Sequence, residues 1–221
     1  MIKLVNFLLL SKRIVNFDKN DIDQGNTPTK IYEICSCIRD TFCLSYSIRK
    51  NNNLYLYFVE NHYAIKFIGT ELRYLGSDER SQALLLNKAI TLLQKRHEGN
   101  WIASTPGIFG KYYRNPKGFL DELTPKNFKE ILWIIDSKDS QKFAKMTNLD
   151  KLYKQSKINN SLFIITLFKL EEDFPFLIKW RNSTTKMRLS PTNQEKWKKP
   201  QDKILYFNFY LDSLEESDNL R

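Results

Sequence analysis

Continuous apolar runs alternate along this chain with stretches in which apolar residues recur every three or four positions. Residues 2–10 form the first run and predict a strand covered on both faces, as in a parallel sheet. A polar, turn-rich stretch follows, from Asp18 through Gly25-Asn26-Thr27-Pro28. Pro28 suits the first turn of a helix with Thr27 as its cap. From there Ile31, Ile34, Cys35, Ile38 and Phe42 keep helical spacing. Leu54–Val59, bounded by Asn51-Asn52-Asn53, is a second strand, and Ala64–Ile68, closed by Gly69, is a third. Ser77-Asp78-Glu79-Arg80 opens another helix, with Ser77 as cap, acids at its positive end, and Ala83, Leu86, Ile90 and Leu93 on one side. Trp101–Ile108 reads as irregular and turn-rich, and Phe119–Leu123 as helical. Ile131–Asp136 and Ser161–Ile165 are buried strands. Lys203–Phe209 is either a last strand or the start of a last helix. Apolar strands alternating with helices predict an α/β fold with a mainly parallel sheet.

Composition narrows the class. A chain of 221 residues with 42% hydrophobic residues has enough apolar surface for one core. Thirty-five basic against 25 acidic residues leave a net charge of +10, which favours a polyanion partner such as RNA, DNA or an anionic membrane surface. No run approaches the ~20 apolar residues that a membrane span needs. The apolar start is broken by Lys3 and Asn6 and lacks a small-residue cleavage site, so it reads as a strand rather than a signal peptide. A cytoplasmic protein without a membrane partner is expected. Cys35, Cys37 and Cys43 are an odd, local set, with only His62 and His97 elsewhere, so no zinc or other metal site is expected. There is no glycine-rich phosphate loop ending in Lys-Ser/Thr and no Gly-x-Ser-x-Gly elbow, which argues against P-loop nucleotidases and hydrolases.

One block is more specific. Gly69-Thr70-Glu71-Leu72-Arg73-Tyr74-Leu75-Gly76-Ser77-Asp78-Glu79-Arg80-Ser81 resembles the TrmY family, the SPOUT-class archaeal tRNA pseudouridine N1-methyltransferases. That family carries Gly-Ser-Glu-Leu-Arg-Tyr-Leu leading into Pro-Asp-Glu-Arg-Ser. Weaker similarity lies in Cys37-Ile38, Leu44-Ser45 and Ile48-Arg49, in Ser104–Ile108, in Leu189-Ser190-Pro191 and in Leu211-Asp212. The resemblance implies a single SPOUT domain with a C-terminal trefoil knot, S-adenosyl-L-methionine held in that knot, a tRNA T-loop as substrate and a homodimer that shares the site.

On that resemblance the RNA-binding residues are Lys30, Arg49, Arg73 and Arg80, and the cofactor-binding residues are Ile135, Thr166, Met187, Arg188, Leu189 and Ser190. Guanidinium groups suit phosphates and base faces, while pairing with Glu71, Asp78 or Glu79 is the structural alternative for Arg73 and Arg80. Asp78 and Glu79 are better explained by helix capping than by proton transfer. Lys30 and Tyr32 stand where the family has arginine and aspartate, so no catalytic base is assigned. Thr166-Leu167-Phe168-Lys169 replaces a loop containing Gly-Asp-His, which narrows the expected pocket and leaves its contacts to backbone groups. If the cofactor site exists, Thr166 and the backbone of Leu189 share one pocket. The alternatives are a non-catalytic RNA-binding relative, with Lys196, Trp197, Lys198 and Lys199 as a binding loop, and a SPOUT methyltransferase for another RNA such as ribosomal RNA.

Overall fold

The computed structural model describes residues 4–94, 99–124, 126–135, 143, 146–170, 174–189 and 198–219, the side chains of the last two excepted. Among them one nine-stranded sheet runs in the order β4-β5-β3-β2-β1-β8-β6-β9-β7. β1 (Val5–Ser11), β2 (Asn52–Phe58), β6 (Ile131–Ile134), β7 (Met146–Asn148), β8 (Ser161–Thr166) and β9 (Thr185–Arg188) are mutually parallel. β3 (Tyr63–Ile68), β4 (Ile102–Thr105) and β5 (Ile108–Tyr112) extend the sheet antiparallel beyond β2. The sheet is thus mainly parallel, as the apolar runs predict.

Helices α1 (Lys19–Asp23), α2 (Thr29–Phe42), α3 (Glu79–Gln94) and α7 (Pro200–Asn219) belong to one core, and α4 (Pro116–Glu122) and α6 (Pro175–Ser183) to a second. A short α5 (Leu149–Lys154) adds Leu149 and Leu152 to the first. Alternate residues of β1 divide between the two, Phe7 and Leu9 to one and Leu8 and Leu10 to the other, and all four are fully buried. Burying each such side chain contributes roughly 1.5–3 kcal/mol, which explains the unbroken apolar run. On α2 the residues at helical spacing, from Ile31 to Phe42, all face inward.

Several local expectations are corrected. The cap of α3 is Asp78, not Ser77: the Asp78 carboxylate accepts from the Ser81 amide at 2.8 Å. Replacing Asp78 by Ala should therefore cost about 1 kcal/mol, read as a lower urea midpoint, while Ser77→Ala stays near neutral. Thr27 does not cap α2, whose N-cap is Pro28 without a side-chain bond. The stretch read as irregular is a hairpin, β4 and β5 joined at Pro106-Gly107, because Gly107 adopts a positive φ of 80° that a tight turn requires. Lys203–Phe209 is helical, inside α7. Asp136, Lys196 and Trp197 lie outside the described residues.

The asparagines before Leu54 are not a boundary. Asn52 and Asn53 belong to β2 and are buried. Asn52 donates to the Thr41 carbonyl at 2.8 Å and to Asn208 at 3.0 Å, and Asn53 donates to Asn6 at 2.9 Å. Asn6 in turn donates to the Ser161 carbonyl at 3.3 Å. Side-chain amides thus cross from β2 to β1 to β8, satisfying polar groups that burial alone would penalise.

Candidate functional site

In the parallel strands every C-terminal end lies at one edge of the sheet and every N-terminal end at the other. β6 sits between β8 and β9, with Trp133 beside Ile164 on one side and Lys186 on the other. The Ile135 amide donates to the Met187 carbonyl at 3.0 Å. The C-terminal ends carrying Ile135, Thr166 and Met187–Leu189 are therefore neighbours at one edge, about 5 Å from strand to strand. Ser190 lies outside the described residues.

Their side chains differ in availability. Met187 is fully buried and Leu189 nearly so, both in the core beneath α2 and α7. Ile135 packs into the opposite core. Those three offer backbone groups only. Thr166 is half-buried at the tip of β8. Arg188 ends β9, and its buried Nε finds no hydrogen-bond acceptor among the described residues. A buried N–H without an acceptor is costly and calls for a partner.

Lys30 belongs to the same edge. It stands in the first turn of α2, and its Nζ donates to the Leu167 carbonyl at 3.2 Å and to Glu33 at 3.0 Å. Its ammonium is thus tied to the residue after Thr166, a link across 137 positions that the sequence does not signal.

The other predicted RNA-binding residues lie elsewhere. Arg49 precedes β2, and Gly69 follows β3, which is antiparallel to it, so both sit at the N-terminal edge. A β-carbon on Gly69 would meet the Asn52, Arg49 and Lys50 carbonyls at 2.3–2.9 Å, so only glycine lets this segment lie against the start of β2. Arg49 is held by Asp212 of α7 through two bonds of 2.8 and 2.5 Å and is largely buried. Arg73 is exposed and forms no ion pair among the described residues. Arg80 pairs with Asp23 of α1 at 2.9 Å, not with Glu71, Asp78 or Glu79. The seven residues of β2 separate the two edges by roughly 20 Å. Lys30 therefore joins the cofactor candidates, while Arg49 and Arg73 do not.

A cleft of about 400 Å³ at the N-terminal edge escapes sequence reasoning. Asn6, Asn53, Tyr55, Lys66, Trp101 and Glu122 line it. The Lys66 ammonium lies 4.6 Å from the Trp101 ring, and burial lowers its pKa. Among the described residues no cluster of three or more His, Cys, Asp or Glu side chains can hold a metal. Burial pushes the Cys35 thiol up to about 12, as befits a packing residue. No helix among the described residues is long and apolar enough to cross a membrane.

The neighbouring strand ends thus gather backbone groups, a lysine and a guanidinium N–H without an acceptor among the described residues, at the kind of edge where open α/β sheets commonly bind ligands. Comparison with known proteins gives the relatives. The chain is 34% identical over 105 residues to the tRNA (pseudouridine(54)-N(1))-methyltransferase of Methanocaldococcus jannaschii, covering 45% of this chain and 51% of that protein. It is 34% identical over 135 residues to the Methanococcus vannielii protein of the same name, covering 60% and 59%. Against the one from Haloferax volcanii it is 38% identical over 96 residues, covering 42% and 46%. The chain spans about half the length of the curated relatives it matches. No family model matches it. The chain is similar to these archaeal proteins, in agreement with its resemblance to the family of tRNA pseudouridine N1-methyltransferases.

Proposed function

We propose that the chain methylates N1 of the pseudouridine at position 54 of tRNA, the reaction its relatives are named for, and that S-adenosyl-L-methionine is the methyl donor. The observation that carries the cofactor half is the edge at Ile135, Thr166 and Leu189. Three neighbouring strand ends offer backbone groups there, and the Arg188 Nε lacks an acceptor among the described residues. That donor set fits a cofactor bearing a carboxylate and a nucleoside. When bound, the cofactor supplies an electrophilic methyl group. Ile135, Thr166, Met187, Arg188, Leu189 and Ser190 bind and orient it.

On this reading Lys30 holds RNA phosphate beside the cofactor, while Arg73 and Arg80 hold it further away. The roughly 20 Å between the two edges is a reason to expect the site to be shared between copies. Leu205 and Phe209 on α7 are 50% and 68% exposed and lie one turn apart, which suits a homodimer interface. The reading includes one SPOUT domain with its C-terminal trefoil knot, working in the cytoplasm.

Calorimetric titration of S-adenosyl-L-methionine, followed by methyl transfer to a pseudouridine-containing T-loop hairpin, tests it. Micromolar binding is expected. Arg188→Ala should weaken it about 10-fold, the loss of one charge-assisted hydrogen bond. Thr166→Gly should leave binding intact or tighten it, since glycine opens the backbone to the ligand. A second reading, a non-catalytic RNA-binding relative, is favoured by the Thr166 side chain at the strand tip. Folded protein that binds RNA and no cofactor establishes that reading instead.

A further inference from the structure

We propose that Tyr46 and Tyr74 form a stacking platform for unpaired bases of single-stranded RNA at the N-terminal edge of the sheet, a site distinct from the cofactor edge. The inference rests on the RNA-binding half of the proposed function and adds a place and a chemistry to it. These two rings are the most exposed large hydrophobic side chains described, at 102% and 81%. Neither touches another ring or makes a side-chain hydrogen bond among the described residues. Leaving two tyrosines bare forfeits burial that each otherwise provides.

The backbone presents them. Tyr46 sits in the turn between Cys43 and Ile48, which pair as a bridge just after α2. Tyr74 has a φ of +63°, a left-handed conformation costing roughly 1 kcal/mol for a residue with a β-carbon. Ser81 holds it there: its hydroxyl donates to the Tyr74 carbonyl at 3.3 Å and accepts from the Gly76 amide at 2.8 Å. The two loops meet where the Cys43 sulfur approaches the Gly76 carbonyl at 3.7 Å. Arg73 directly precedes Tyr74, and Lys50 follows the Cys43–Ile48 bridge that closes the Tyr46 turn; both are exposed and without an ion pair among the described residues. Two open rings beside two open cations match the faces of unstacked bases and the phosphates between them. A duplex buries its base faces and offers phosphates, ribose hydroxyls and base edges instead.

The test compares binding of an unstructured oligouridine and of a fully paired RNA duplex of the same length, by fluorescence anisotropy at fixed salt. Tyr46→Ala combined with Tyr74→Gly should weaken oligouridine binding about 30-fold or more, the low end for losing two aromatic stacking partners. Duplex binding should change less than about twofold, because its phosphate contacts remain. Tyr→Phe at both positions should keep the affinity, since stacking needs the ring and not the hydroxyl. Tyr74→Gly also removes the left-handed strain, so the urea midpoint should hold or rise while affinity falls, a combination a merely structural tyrosine does not give. Equal losses on both RNAs, or no loss on either, overturn the platform; the second result leaves the rings to a protein partner. If the unaltered protein binds neither RNA, the platform and the RNA reading fail together. If oligouridine binding depends on the tyrosines yet no methyl transfer occurs, only the catalytic reading fails.

Discussion

Gly107→Ala should cost at least about 3 kcal/mol and lower the melting temperature by about 6–12 °C. Two penalties add. Gly107 has a φ of +80°, which costs an L-residue about 1–2 kcal/mol. A β-carbon there would also lie 2.5 Å from the Leu72 nitrogen and 2.6 Å from Glu71 C and Leu72 Cα. Those atoms are backbone, so no rotamer change relieves the overlap, and the 69–75 segment must move. Gly25→Ala separates the terms, because Gly25 has a φ of +72° with nothing within 4 Å of the added carbon. It should lose only the conformational part, about 1 kcal/mol. The functional consequence follows from what rests on this turn. The Arg73 amide donates to the Pro106 carbonyl at 3.4 Å and the Ile68 amide to the Gly107 carbonyl at 2.9 Å. Shifting the turn displaces the segment that carries Arg73 and Tyr74, so RNA affinity should fall with stability. Equal urea midpoints for the two alanine variants would show that the close approach to Glu71 and Leu72 does not exist.

The strands β1, β2, β3, β6 and β8 are legible in the sequence because burial on both faces writes itself as dense apolar runs, interrupted by Asn6 in β1 and Lys66 in β3. The hairpin β4–β5 is not, since Ile102-Ala103-Ser104-Thr105 is short and polar and its pairing with β5 is supplied by distant neighbours. Asn52 and Asn53 mislead for a related reason: their partners are Asn6, Thr41 and Asn208, which no local window contains. At the candidate site, Ile135, Thr166 and Leu189 are named together by the family resemblance alone, and the adjacency of their strands comes from the sheet order β8-β6-β9. The division of the basic residues between two edges is not legible in the sequence, because it depends on β3 running antiparallel to β2. Arg80 shows the same limit, with a carboxylate 57 residues away in place of the acids beside it.

Arg49 gives the sharpest test of that division, since the resemblance assigns it to RNA and the structure gives both its terminal nitrogens to Asp212. Arg49→Ala should destabilise the fold by about 2 kcal/mol, and Asp212→Ala by about 1–2 kcal/mol. The figures are below those for a fully buried pair because the Asp212 side chain is 44% exposed and solvent screens it. The double variant should be little worse than Arg49→Ala alone, giving a coupling of about 1–2 kcal/mol in a double-mutant cycle. Arg49→Lys should recover less than half, since an ammonium cannot match the two-pronged geometry. The partners join the segment before β2 to the last helix, across 163 residues, so the loss should appear as faster unfolding. RNA affinity at fixed salt decides between the roles. A structural Arg49 leaves it unchanged once the protein is folded, and Asp212→Ala, which frees the guanidinium and removes a negative charge, raises it slightly. An RNA-contacting Arg49 reverses the pattern: Arg49→Ala weakens binding severalfold and flattens its salt dependence by about one phosphate contact, while Asp212→Ala does neither.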